Sequence, residues 1–296
     1  MKLASLKRNG LAVIRDDAYI PIGDVLAQQG GLESAATMID LIASFDRVKG
    51  KIPDAAAKGQ SLPPDPKQLA APVLKPSKIW AAAGNYRRGG TGLENAAGRG
   101  QASSVPPEEL LEQAFLKPPS AIVGPEDAIV FPPGVETIFP ELELCVVIGK
   151  EVRNLTREQA MDAVFGYTIM LDVTARNARQ LAQGLIATRN VRKGYATFAP
   201  IGPWITTRDE VPNPQGLKMQ LWVNDKLQQS ATTDGMINGV AEIVSYLSQV
   251  GTLYPGDLIT TGNPDAPDFQ EKLAPGDTLR CEIERIGSMT LYVRSA

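Results

Sequence analysis

Residues 139–150 read FPELELCVVIGK, a β-strand signature that carries two carboxylates. Glu141 and Glu143 stand two apart in an apolar, strand-forming run. A pleated strand therefore turns both acids to one face and Leu142 and Leu144 to the other. Like charges that close repel, and burial would raise both pKa values unless a cation neutralised them, so a divalent ion is the natural resolution. Asp172 ends the apolar run 167–171 and offers a third oxygen ligand at a sheet edge or mouth. On spacing alone the pattern more commonly describes a solvated strand face, and both readings stand at this point.

Outward from that stretch the chain is rich in strands. Candidates are 78–83, 121–131, 142–148, 167–172, 203–206, 219–223, 258–261 and 278–286, which predict an α+β, β-rich fold with antiparallel or mixed sheet. Two Pro-Gly-Asp triplets, at 255–257 and 275–277, each precede a strand, with Gly supplying the positive φ that the turn needs. Residues 3–22 alternate around Asn9-Gly10 and Asp16-Asp17, the pattern of a small β-meander. Apolar residues from Leu32 through Met38, Ile39 and Ile42 to Phe45 recur at helical spacing, predicting a helix packed on it. A second helix is expected over 234–249, with Asp234 as N-cap. Between 53 and 76 the chain is rich in Pro, and Pro63-Pro64-Asp65-Pro66 sustains neither helix nor central strand. The expected division is a small N-terminal α/β domain, 1–75, and a larger β-rich domain, 76–296.

Not one histidine occurs among the 296 residues. Ser-His-Asp and Cys-His hydrolysis, HExxH zinc sites and imidazole proton shuttles are thereby excluded, leaving carboxylate, lysine, tyrosine or backbone chemistry, with or without an oxygen-ligated metal. Hydrophobic residues at 43% and charged residues at 21% set neither disorder nor a fibrous repeat. A net charge of −3 with scattered Lys and Arg offers no stripe for nucleic acid. No stretch approaches membrane-spanning length, so a membrane is not an expected partner. Cys145 and Cys281 lie in apolar, strand-like runs and read as buried thiols, consistent with a reducing cytoplasm.

From Ile79 onward the chain resembles the fumarylacetoacetate hydrolase family. The resemblance covers about three quarters of its length and rests on ordered segments: IWAAAGNYRRG, KPPSAIVGPEDAIVFPPG, FPELELCVVIGK, FGYTIMLDVTARN, RKGYATFAPIGPWI and VAEIVSYLSQVGTLYPGDLITTGNPD. It implies a catalytic domain built as a mixed β-sheet roll or barrel. It also implies Mg2+ or Mn2+ held by Glu141, Glu143 and Asp172. The substrate would be a small 2-oxo or β-diketo acid, bound through its 1-carboxylate and 2-oxo oxygens on the metal and reacting through an enolate. By the same resemblance Lys193 reaches the active site as a catalytic cation, and Thr261-Gly262 forms a carboxylate-binding turn. Lys117 lies on the pocket wall, Tyr86 lies near the substrate, and Arg87 or Arg88 meets a second substrate carboxylate. A homodimer is implied as well. All-oxygen ligation suits Mg2+, while Mn2+ binds such sites more tightly under the usual affinity order.

One departure from the family pattern bears on mechanism. The histidine that many relatives carry after Asn-Tyr is replaced by Gly89, so their water-activating His-Glu dyad is missing. Glu94, in the Gly- and Ala-rich run 89–104 that reads as a lid, is the candidate base, with Glu108, Glu109 and Glu112 on a short helix just beyond. Three readings follow: a hydrolase cleaving a carbon-carbon bond of an acylpyruvate-like acid; a decarboxylase, dehydratase or keto-enol isomerase needing no dyad; or a non-catalytic homologue.

Overall fold

Asp16 and Asp17 take φ of 49° and 61°, the two left-handed residues of a tight hairpin turn. The turn joins β2 to β3, so the meander forms as the alternation predicts: β1 (Lys2–Leu6), β2 (Gly10–Arg15) and β3 (Ala18–Pro21), with Val13 opposite both Leu3 and Ile20. The computed structural model describes residues 1–8, 10–87, 106–176, 188–264 and 272–296. The helix expected over 32–45 is shorter. Ala35 adopts φ 61°, and Thr37 and Asp40 form a reciprocal capping box, so the helix starts at Met38 and spans Met38–Ala43. The Pro-rich stretch also begins with a helix, Ile52–Lys58, because Pro53 falls in the first turn, where its missing N–H costs nothing.

The strands that follow are β4 (Leu69–Ala70), β5 (Ile79–Ala81), β6 (Phe115–Lys117), β7 (Ile122–Val123), β8 (Ala128–Val130), β9 (Thr137–Phe139), β10 (Leu142–Ile148) and β11 (Val164–Leu171). After them come β12 (Thr174–Arg176), β13 (Ala199–Thr207), β14 (Lys218–Val223), β15 (Lys226–Thr232), β16 (Leu258–Thr260), β17 (Thr278–Ile283) and β18 (Gly287–Arg294). One mixed sheet runs β3-β2-β1-β13-β11-β10-β16-β5-β6, with β4 on β1 and β7 on β13. A second runs β15-β14-β17-β18-β8, and β12 pairs with β9 alone. The N-terminal meander thus joins the main sheet through β1 and β13, with Leu3 opposite Ile205.

Every residue of β10 and β11 is buried. Leu142, Leu144, Val146 and Ile148 enter one apolar core, while Cys145 and Val147 enter the other, which contains the N-terminal helices. A strand covered on both faces reads as a near-continuous apolar run, which is what residues 144–148 are. Both cysteines are free and buried. Among the described residues no helix is long and apolar enough to cross a membrane.

The C-terminal helix also differs from expectation. It spans Val240–Val250 behind Gly239, while Asp234 lies in the preceding short turn Thr233–Gly235. Main-chain ties explain the shift. Ile237 N donates to Asn85 O at 2.7 Å and Asn238 N to Asn85 Oδ1 at 2.8 Å, holding the chain extended before the helix can start. Both Pro-Gly-Asp triplets are turns with positive φ, 82° at Gly256 and 100° at Gly276. Asp257, wholly buried, accepts from Ser77 Oγ at 2.6 Å, Lys78 Nζ at 2.6 Å and Tyr254 N at 2.9 Å, anchoring the start of β16 beside β10.

Candidate metal centre

β10 and β11 are antiparallel neighbours, with Leu142 opposite Leu171, so the residues flanking that pair meet at one end of the sheet. Asp172 N donates to Glu141 O at 2.8 Å and extends the ladder by one bond. Glu141, Glu143 and Asp172 are all buried, and one carboxylate oxygen from each lies within 4.8 Å of the others. Three hard oxygen donors converging at that spacing fit a divalent cation of the Mg2+ or Mn2+ type.

Two buried ammonium groups close the cluster. Lys193 Nζ donates to Glu141 Oε2 at 2.7 Å and to Asp172 Oδ2. Lys117 Nζ donates to Asp172 Oδ1 at 2.6 Å and to the Lys193 carbonyl at 2.5 Å. Glu143 takes its hydrogen bond from the main chain, accepting from Gly262 N at 2.8 Å. Gly262 is held at φ 92°, and a Cβ there would meet Asn85 Cβ at 3.1 Å, so the turn brings backbone to the carboxylate where a side chain would crowd it.

Burial is the largest influence on each of these groups, and neighbours decide its outcome. It raises Glu141 despite Lys193, and it raises Glu143 to about 8 with help from the Asp172 charge. It pushes Asp172 up as well, but Lys117 and Lys193 outweigh it and hold that carboxyl below its ordinary range. It lowers Lys117 against the pull of Asp172. For Lys193 burial works against the charge, yet Asp172, Glu141 and Glu143 prevail and raise it. A cation entering this cluster must displace the Glu143 proton below pH about 8. Apparent Mn2+ affinity is therefore expected to rise about tenfold per pH unit up to that point and then level off, with close to one proton released per ion. Calorimetric titration in buffers of different ionisation enthalpy reads that proton, and an affinity flat from pH 6 to 8 would contradict it.

The remaining sequence candidates are placed as follows. Thr261 is buried with its hydroxyl on Leu144 O at 3.1 Å, next to the Gly262 amide. Tyr86 is buried, its hydroxyl 3.6 Å from Met219 Sδ and its pKa raised by desolvation. Arg87 is exposed and anchored to the 234–235 turn, its amide on Gly235 O at 2.9 Å. Glu108, Glu109 and Glu112 are exposed. Arg88, Glu94 and the 89–104 run lie outside the described residues.

Sequence reading missed three supports of the centre. Asn85 Nδ2 donates to Thr261 O at 2.9 Å and Asn238 O at 2.9 Å, clamping the turn that presents Gly262. Its place before Tyr86 in a quoted segment was a signal that spacing could not interpret. Gln229, wholly buried, donates to Leu142 O at 3.3 Å. Phe115 places its ring under Lys193, with Nζ 5.4 Å from the centroid.

These features describe a mixed-sheet protein built around a buried triad of carboxylates that could hold a cation, with two lysines against it. Residues 78–294 match the fumarylacetoacetate (FAA) hydrolase C-terminal family, and the chain belongs to that family. It is 32% identical over 299 residues to a maleylpyruvate hydrolase of Aquipseudomonas alcaligenes, all of both chains being covered. The structure superposes with a TM-score of 0.79 and 34% identity on the crystal structure of maleylpyruvate hydrolase from Sphingobium sp. SYK-6 with manganese(II) and pyruvate, again over all of both chains. A mitochondrial oxaloacetate tautomerase of Bos taurus is 37% identical over 233 residues, 76% of this chain and 69% of that protein.

Proposed function

We propose that this protein is a divalent-metal-dependent hydrolase that cleaves a carbon-carbon bond in a 2-oxo, acylpyruvate-like carboxylic acid and releases pyruvate or a close analogue. The observation that carries this reading is the buried Glu141, Glu143 and Asp172 triad, in a chain that aligns end to end with a hydrolase holding manganese and pyruvate. Bound by those three carboxylates, Mg2+ or Mn2+ supplies Lewis acidity to the substrate's oxygens.

The chain's own groups do the rest. Lys193 spends two N–H bonds on Glu141 and Asp172, leaving a third for a substrate oxygen. Its ammonium, held charged by those carboxylates, stabilises negative charge as it grows on the 2-oxo oxygen when the carbon-carbon bond breaks. Lys117 fixes Asp172 and the Lys193 carbonyl together, so the cation stays placed while charge develops. Glu94 is the base proposed to activate water. By family likeness the protein is a homodimer, and its two free, buried thiols suit a reducing cytoplasm.

A second reading, keto-enol isomerase or lyase, is favoured by one observation: the chain holds no histidine, whereas proton relocation at the same centre needs no attacking water. Incubation of the Mg2+- or Mn2+-loaded protein with acylpyruvates, oxaloacetate and sugar-derived 2-oxo acids separates the two. Paired acids mark hydrolysis; carbon dioxide, dehydrated product or a shifted keto-enol ratio marks the alternative. An unchanged rate in Glu94→Gln would remove that residue as the base.

A further inference from the structure

The short helix Arg189–Arg192 delivers Lys193 to the centre and brings two more cations with it. Arg189 Cζ lies 5.9 Å from the centre of the same Phe115 ring that Lys193 caps. Arg192 is half-buried, with Nη1 on Thr174 Oγ1 at 3.2 Å, two residues along the chain from Asp172. Its Nε is buried without a hydrogen-bond partner among the described residues. That guanidinium keeps an open donor beside the cationic Arg176 and Arg189, while Glu141 and Asp172 attract it toward the centre.

We propose that Arg192 receives the distal carboxylate of a 2-oxo dicarboxylate and makes the centre selective for diacids over monoacids. The proposal rests on the 2-oxo acid reading given above. A guanidinium fork reads a carboxylate through paired, charge-assisted donors, and a buried donor left unpaired penalises a ligand without that group.

The test uses two acids that differ only at the far end, 2-oxoglutarate and 2-oxopentanoate, titrated calorimetrically into the Mg2+-loaded protein. The wild type is expected to prefer 2-oxoglutarate. Arg192→Gln is expected to weaken 2-oxoglutarate about 10- to 100-fold and 2-oxopentanoate less than about twofold, with Arg192→Lys between the two because it keeps the charge and loses the fork. Equal weakening of both acids would show that Arg192 acts on the metal centre instead, and no weakening of either would show that it acts on neither; both outcomes overturn the proposal. If the metal-loaded wild type binds neither acid, the 2-oxo acid reading fails and takes the proposal with it. Thermal melting of each variant with bound ion confirms that the folded site is what is compared.

Discussion

Asp172→Asn is expected to weaken Mn2+ binding by more than about 100-fold, the upper end of what loss of a ligand's hydrogen-bonding partner alone costs. It should also destabilise the metal-free protein. Asp172 accepts from both buried lysines, Lys117 at 2.6 Å and Lys193, and it is the one carboxylate of the triad whose pKa is held down. Asn has the same shape and none of the charge, so Lys117 loses the carboxylate it pairs with and Lys193 is left with Glu141. Removing one partner of a buried ion pair costs about 3–5 kcal/mol, because the other charge stays out of water. A Tm lower by at least about 5 °C in chelator follows. Mn2+ titration followed by electron paramagnetic resonance, with melting curves in chelator, reads both effects. Wild-type Mn2+ affinity in this variant would remove Asp172 from the ligand set and undermine the centre as described.

How far the sequence disclosed this centre can be argued residue by residue. Glu141, Glu143 and Asp172 were legible because strand period is rigid: two acids at i and i+2 share a face whatever else the fold does. Their convergence was not, since it depends on β10 and β11 pairing with Leu142 opposite Leu171, a register that no local pattern specifies. Lys117 and Lys193 lie 55 and 21 residues from Asp172, so only resemblance could bring them together. The misplaced helix start at Asp234 has the same origin. Its apolar periodicity was real, but Asn85, 153 residues from Asn238, claims the main chain that a longer helix would have used. The strands β15 and β18 went unread because polar residues break their apolar alternation: Gln228 and Gln229 stand buried in β15, and Ser288 and Arg294 lie exposed in β18. Pairing with β14 and β17, not propensity, makes them strands.

Lys193→Met separates the roles of ligand and electrophile, because its two consequences should run in opposite directions. The ammonium bonds Glu141 at 2.7 Å and Asp172, the same carboxylates that would hold the ion, and like charges a few ångströms apart in a partly shielded site repel by about 4 kcal/mol. Met keeps most of the buried volume and removes that repulsion. Divalent affinity is therefore expected to rise by at least about tenfold, although the metal-free protein loses an ion pair. Turnover should fall about 10^2- to 10^3-fold, the usual effect of deleting one preorganised donor to developing oxyanion charge. The loss should lie in kcat more than in KM, since the contact strengthens as the enolate forms. Metal titration and steady-state kinetics on one preparation give both numbers. If metal affinity and activity fall together, Lys193 is a scaffold for the carboxylates and not the cation that meets the substrate, and charge stabilisation would have to come from Lys117 or from the ion alone.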